Sequence, residues 1–272
     1  EKNYNSVGTK VNYLKSIVGF LKRLNGFEDV SREYSKKMIE YKVIYDKDKG
    51  NNRLSEREEN NYVTWDKILK YDLTGLDQED VLLVKLMTAI PPRRLSYKYL
   101  KLVKNKTKEE IDKLDKQYNY IVINKSGNAT SVILNRYKTN KKYGRFIIDL
   151  TQPDKKPIFL FSEIRKAIKN FMKHKNIKSG ALVFPNNKGE VYKDFTKRLH
   201  TAFRNIDNKN ISSNTLRHSF IQYYSNKKNL SLNTIKLFSK YLGHSVEEFL
   251  GYRRFDDVDG LIEKFKHVDN ED

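Results

Sequence analysis

The chain has 272 residues, which suffices for one large domain or two modest ones, and 38% of them are hydrophobic, so a core can form. It carries 54 Lys and Arg against 34 Asp and Glu, and this net charge of +20 is spread along the chain, which favours nucleic acid as the partner over an anionic membrane. The lack of cysteine excludes disulfides and thiolate zinc sites, and no apolar run approaches the ~20 residues that span a membrane.

The first quarter of the chain has the apolar periodicity of helices. It predicts four of them, over Val11–Leu24, Val30–Asp48 and Ser55–Tyr62 and from Trp65 onwards. We therefore expect residues 1–72 to form a small helical bundle, with a linker over Tyr71–Asp77. The basic residues of the first two helices, such as Lys15 and Lys36, either contact a DNA backbone or form a solvated face.

The pattern changes after the linker. An apolar helix is expected over Asp80–Thr88, because Pro91-Pro92 cannot continue it, and a new helix is expected over Arg94–Val103. Three short strand-like runs separated by turns then predict three antiparallel strands, over Tyr120–Ile123, Ser131–Leu134 and Phe146–Ile148. The remaining helices are predicted over Ser162–His174, Tyr192–Arg204, Asn214–Lys227 and Ser231–Tyr241 and after Asp257. The expected fold class is mainly α with a small antiparallel β-sheet (α+β).

Transfer of a DNA phosphodiester requires a nucleophile, neutralisation of the charge that develops on the non-bridging oxygens, and a proton for the leaving oxygen. Many nucleases use metals held by clustered carboxylates, and the sequence offers no convincing cluster of that kind. A route without metal relies instead on Arg, Lys and His, and Arg suits phosphate because its planar fork binds two oxygens and stays charged.

Two short motifs near the C-terminus supply such residues. Leu216-Arg217-His218-Ser219 and Leu242-Gly243-His244-Ser245 follow one another, and Tyr252 comes eight residues after His244. In this order and spacing they resemble the C-terminal signature of the tyrosine recombinase (integrase) family. The resemblance implies that Tyr252 is the nucleophile, with Arg217 and His244 supporting the reaction. His218 is expected to point away from that side of its helix.

The resemblance extends upstream and covers about residues 76–256. The family has a first Arg after an apolar helix, and the double-proline stretch Pro91-Pro92-Arg93-Arg94 resembles the branch found in viruses and mobile elements. The spacing in that branch favours Arg94 over Arg93. The family's catalytic Lys on a β-hairpin turn matches Lys138, with Lys141 and Lys142 as rivals.

By this resemblance, 1–72 is a helical core-binding domain and 76–272 is the catalytic domain with a C-terminal helix. Together they clamp double-stranded DNA, and a homotetramer assembles on two DNA sites. The expected activity is site-specific recombination through a 3′-phosphotyrosyl intermediate, which integrates a viral or mobile genome. No cofactor, metal or membrane is expected to take part. The segment Asp257–Val268 is either a helix exchanged between subunits or one packed in its own chain.

Six residues form the expected catalytic set: Arg94, Lys138, Asn214, Arg217, His244 and Tyr252. Asn214 departs from the family, which often has His three positions before the second Arg, so Asn214 either contacts phosphate or only caps its helix. Two alternatives to a recombinase stay open, a type IB topoisomerase with the same chemistry and a DNA-binding relative that has lost catalysis.

Overall fold

The computed structural model of the protein describes residues 6–50, 59–93, 96–227 and 230–250. Contacts between Cα atoms divide these residues into two compact units, 6–50 and 59–250. Three expectations fall wholly or partly outside the described residues: the start of the helix predicted over Ser55–Tyr62, the residues Arg94 and Tyr252, and the C-terminal segment Asp257–Val268. Within the described parts of the chain, no helix is both long enough and apolar enough to cross a membrane.

The first unit is a pair of helices, α1 (Val7–Leu21) and α2 (Glu28–Gly50), which contact each other. The side chain of Ser6 caps α1 by accepting the Thr9 N–H, so α1 begins four residues before its predicted start. It also ends before its predicted end, at Leu21. Val18 is the buried side chain of α1. The apolar spacing of α2 predicts a stripe of Tyr34, Met38, Tyr41 and Tyr45. The first three are half-buried, as expected for a face that packs on another helix, whereas Tyr45 is exposed.

The second unit contains a four-stranded sheet and nine described helices. The strands are β1 (Leu100–Lys104), β2 (Asn119–Ile123), β3 (Ala129–Leu134) and β4 (Phe146–Asp149). The helices are α3 (Trp65–Leu69), α4 (Gln78–Thr88), α5 (Lys108–Asp112), α6 (Asn140–Tyr143), α7 (Phe161–Lys175), α8 (Phe195–Asp207), α9 (Ser213–Lys227), α10 (Leu232–Leu242) and α11 (Val246–Leu250). The expected α+β class is therefore confirmed.

The sheet is mixed and not purely antiparallel as predicted. Its order is β1-β2-β3-β4, with β1 parallel to β2 and the other neighbours antiparallel. The helix predicted over Arg94–Val103 is wrong, because Leu100–Lys104 forms β1. The backbone of Leu102 also bonds residues on its other side, where its N–H donates to the Ala181 carbonyl at 3.0 Å. Pairing with two segments distant in sequence thus overrides the local helical spacing.

The main core lies between one face of the sheet and the helices. Trp65 belongs to this core and meets the ring of Phe220 edge to face at 5.1 Å. The hydroxyl of Tyr71, at the start of the predicted linker, donates to Asp207 at 2.9 Å. The region from Val63 to Tyr71, which we expected to belong to the N-terminal bundle, is therefore part of the larger unit. A smaller cluster around Val103 covers the opposite face of the sheet.

Candidate active site

A small cleft lies where three parts of the larger unit meet: the stretch after α4, the turn between β3 and β4, and the C-terminal end of α10. Its lining is dominated by polar and charged groups. The lining residues are Arg93, Ser96, Tyr137, Lys138, Thr139, Arg217, Leu242, Gly243 and Glu248. Two arginines and a lysine from three distant segments thus converge on one place.

The end of α10 organises the cleft through its backbone. The last carbonyls of a helix have no partner within the helix and carry its partial negative charge. Here the Lys240 and Tyr241 carbonyls accept bonds from Nη1 of Arg93 at 3.0 and 2.7 Å. The Leu242 carbonyl accepts a bond from Nη2 of Arg217. One helix end therefore anchors both arginines and offsets part of their mutual repulsion.

Arg93 is held by dipoles and aromatic rings. It is 2% exposed, and its guanidinium carbon lies 4.7 Å from the ring centre of Tyr137 and 4.4 Å from that of Phe146. Burial lowers the pKa of Arg93 to about 10, which still leaves it charged at neutral pH. By contrast, Arg198 is neutralised by the carboxylates of Glu79 and Asp80.

This difference decides what each buried arginine can do. Arg198 forms a structural ion pair, because the carboxylates of Glu79 and Asp80 already neutralise its charge. The partners of Arg93 are carbonyl oxygens, a serine hydroxyl and rings, and no carboxylate among the described residues lies within 4 Å of it. Arg93 therefore keeps its positive charge for an anion that enters the cleft.

Arg217 and His244 are brought close together, as the motif spacing implies. Arg217 lies on α9 and is 5% exposed, and His244 follows the end of α10 and is 4% exposed. His244 Nδ1 lies 3.0 Å from the Ser245 carbonyl. A carbonyl only accepts, so Nδ1 carries the proton of the neutral ring and Nε2 keeps a lone pair. Burial, helped by the charge of Arg217, lowers the pKa of His244 to about 4, so the ring is neutral at pH 7.

The turn after β3 places Lys138 in the cleft. Lys138 is exposed and lines the cleft, whereas its rivals Lys141 and Lys142 lie on the one-turn helix α6 and do not. The segment from Thr139 to Gly144, whose Lys- and Asn-rich sequence predicts a turn between two strands, contains this helix. The geometry thus favours Lys138 among the three lysines.

Asn214 lies in the first turn of α9 and does not line the cleft. The cap of α9 is Ser212, whose hydroxyl accepts the Thr215 N–H at 3.1 Å. The expectation that Asn214 caps the helix is therefore wrong. Its Oδ1 is buried and accepts no hydrogen bond from the described residues.

The sequence predicted Arg217, His244 and Lys138 in one site. Arg217 and Lys138 line the cleft, whereas His244 directly follows the lining residue Gly243 and does not itself line it. The sequence pattern ranked Arg93 below Arg94, whereas the structure shows Arg93 at the cleft and Arg94 lies outside the described residues. It also missed Tyr137, Thr139 and Glu248. Tyr137 and Thr139 flank Lys138 directly, and that adjacency was the available signal.

Gly243 is expected to tolerate no side chain. Its φ is +76°, and a Cβ there would lie 2.9 Å from Nη2 of Arg93. We expect Gly243→Ala to lower the free energy of unfolding by about 2 kcal/mol and to slow any reaction that depends on Arg93. Gly127→Ala is the matched control, because its φ is +77° and nothing lies within 4 Å.

Urea unfolding of both glycine variants measures this difference. If Gly127→Ala and Gly243→Ala lower the free energy of unfolding equally, backbone strain alone explains the loss at Gly243. The close approach of Arg93 then contributes nothing to that loss.

The lowered pKa of His244 predicts a pH-dependent stability. Between the unfolded value near 6.5 and the folded value of about 4, the unfolded chain binds a proton that the folded protein does not. Stability is therefore lost as the pH falls through this window, by about 2 kcal/mol between pH 7 and pH 5. Urea unfolding at both values should show this loss in the wild type and a smaller one in His244→Asn. An equal loss in the wild type and in His244→Asn would refute the prediction. The control is His174→Asn, which changes an exposed histidine and should lose as much stability as the wild type.

The described residues contain no group of three or more His, Asp or Glu side chains that could hold a metal ion.

No protein-family model matches the sequence, and a search of curated proteins finds no match. Among solved structures, the chain resembles the Tn1549 transposon integrase in complex with transposon right end DNA. That resemblance covers 93% of this chain and 84% of the other, with 13% sequence identity and a TM-score of 0.35, so the overall likeness is weak.

Proposed function

We propose that the protein cleaves and rejoins DNA as a site-specific recombinase. The observation that carries the proposal is the pair Arg93 and Arg217, anchored on one helix end beside Lys138 in a cleft of a strongly basic chain. Two convergent guanidinium groups suit the two non-bridging oxygens of a phosphodiester.

In the proposed reaction, the Tyr252 hydroxyl attacks phosphorus and forms a 3′-phosphotyrosyl bond, while the bond to the 5′-oxygen breaks. Arg217 and Arg93 stabilise the charge on the non-bridging oxygens. We assign the first-arginine role to Arg93 because it lines the cleft, whereas the sequence pattern favoured Arg94. Lys138 gives a proton to the 5′-oxygen.

His244 and Asn214 complete the proposed set. His244 is neutral and is suited to a hydrogen bond with the phosphate or the phenol. Its lowered pKa makes it too weak a base to keep the phenol proton, which leaves to water. Asn214 has a buried Oδ1 with no partner among the described residues. Religation of the 3′-phosphotyrosyl bond to a different strand gives recombination. As a recombinase, the protein would act as a homotetramer on two DNA sites. The double-proline sequence Pro91-Pro92 supports a role in joining a viral or mobile genome to its target.

A trapping experiment on a library of DNA sequences tests the activity and identifies the target at the same time. Duplexes of randomised sequence carry nicks at varied positions, so that the short strand released by cleavage diffuses away and religation fails. We expect SDS-stable adducts linked to DNA 3′ ends, and the sequences of the trapped strands identify the site. No adduct in the whole library, or linkage to 5′ ends, would overturn the proposal. Relaxation of any supercoiled plasmid by the monomer would favour a topoisomerase.

Binding of duplex DNA is expected to depend steeply on salt. A net charge of +20 and a basic cleft imply that several phosphates are neutralised and their counterions released. With about six phosphate contacts, affinity falls by about 10³-fold between 50 and 200 mM salt. Fluorescence anisotropy across this range measures the slope, and a flat slope contradicts binding by a basic surface.

A further inference from the structure

The turn that carries Lys138 is closed by its own hydrogen bonds. Asn140 Nδ2 donates to the Asn135 carbonyl at 2.8 Å, and the Tyr137 hydroxyl donates to the Gly144 carbonyl at 2.7 Å. These two bonds fix the shape of the turn, but neither reaches the end of α10. The ring of Tyr137 contacts Arg93, and a hydrogen bond from the turn to the end of α10 would fix the position of the turn further.

Thr139 supplies that contact. It is the N-cap residue of α6, where a threonine hydroxyl normally accepts an N–H of its own helix, yet it makes no such bond. Its hydroxyl instead donates to the Gly243 carbonyl at 3.2 Å. Gly243 directly follows the carbonyls that hold Arg93 and Arg217. Thr139 thus joins the turn to the same helix end that orients both arginines.

We propose that Thr139 is a positioning residue for Lys138, an inference that rests on the proposed function. In the cleavage step, the P–O5′ bond breaks with its electron pair on the 5′-oxygen. The ammonium of Lys138 gives that oxygen a proton and becomes a neutral amine. Proton donation needs a donor within hydrogen-bond reach, so a turn released from Gly243 donates poorly even though its charge is unchanged.

A DNA substrate with sulfur at the 5′-bridging position isolates this role. A thiolate leaves without a proton, because thiols have pKa values of about 8.5 whereas water, as a guide to alcohols, has a value near 15.7. We expect Thr139→Val to slow adduct formation on ordinary DNA on the order of 10-fold, and to match the wild type on sulfur DNA. DNA affinity should stay within about 2-fold, since no charge is lost.

Two variants control for the loss of a hydroxyl. Thr139→Ser keeps the donor and should restore most of the rate. Thr201→Val removes a hydroxyl that donates to the Lys197 carbonyl at 3.0 Å. Thr201 is an exposed residue of α8, so this change should leave cleavage unchanged on both substrates. Thr139→Ala replaces the valine variant if thermal unfolding shows that the latter is misfolded.

The outcomes separate the two ideas. If the wild type forms an adduct and Thr139→Val is equally fast on ordinary DNA, or equally slow on both substrates, the positioning role is overturned. A serine variant as slow as the valine variant also overturns it. If the wild type forms no adduct on either substrate, the proposed function fails and this inference fails with it.

Discussion

Tyr252→Phe is expected to abolish covalent capture of DNA. The phenol oxygen is the proposed nucleophile, and removing a nucleophile typically costs enzymes about 10⁴-fold or more in rate. DNA affinity should change by less than about 3-fold, because the hydroxyl is one polar group among many phosphate contacts. SDS gels with labelled nicked DNA measure the adduct, and anisotropy measures the affinity.

Tyr137 is the informative comparison, because it lines the cleft. Its hydroxyl already donates to the Gly144 carbonyl, and burial raises its pKa, so it is a poor nucleophile. We expect Tyr137→Phe to form the adduct still, because the ring that stacks on Arg93 remains. Its rate should fall only a few-fold, because one of the two bonds that close the turn is lost. Mass spectrometry of the DNA-linked peptide decides directly. Capture through Tyr137, or an undiminished adduct in Tyr252→Phe, would remove Tyr252 from the mechanism.

Arg93→Lys is expected to slow adduct formation by about 100-fold or more, while Arg94→Lys slows it only a few-fold. A lysine keeps the charge but lacks the fork that binds the Lys240 and Tyr241 carbonyls while it faces the cleft. Single-turnover rates on trapped substrates measure both variants. The reverse ranking would return the first-arginine role to Arg94, as the sequence pattern alone favours.

Stability must be separated from catalysis here, because Arg93 is buried. Arg198→Lys is the matched control, since Arg198 is also largely buried but is neutralised by Glu79 and Asp80. It should lower the melting temperature without slowing the reaction of the folded fraction. If both lysine variants lose activity in proportion to stability, Arg93 has only a structural role.

The regular elements of the larger unit follow from local patterns. Strands β2, β3 and β4 were expected within a few residues of their bounds, because short apolar runs bounded by turn residues are typical of buried strands. Strand β1 was not predicted, since its stretch carries Leu100 and Leu102 in a context that also fits a helix. Its conformation depends on partners at 119–123 and 180–183, which no local window contains.

The parts of the candidate site that depend on side-chain identity could be predicted from the sequence, whereas those that depend on backbone contacts could not. Arg217 and His244 lie in recognisable motifs, and the structure places both near the end of α10. Trp65 was assigned to the N-terminal bundle, but its hydrophobicity does not say which partner it packs against, and it packs on Phe220 in the larger unit. The role of Arg93 depends on which carbonyls it meets, and that is a property of the folded chain.

The end of α10 makes much of this site independent of side-chain identity. Main-chain oxygens at Lys240, Tyr241 and Leu242 hold the two arginines, and every residue type provides the same oxygen. Sequences could therefore diverge at these three positions while the arginines keep their places, provided that the helix still ends at a glycine in the left-handed conformation. Distant relatives would then share a geometry that comparison of their amino acids at these positions does not reveal.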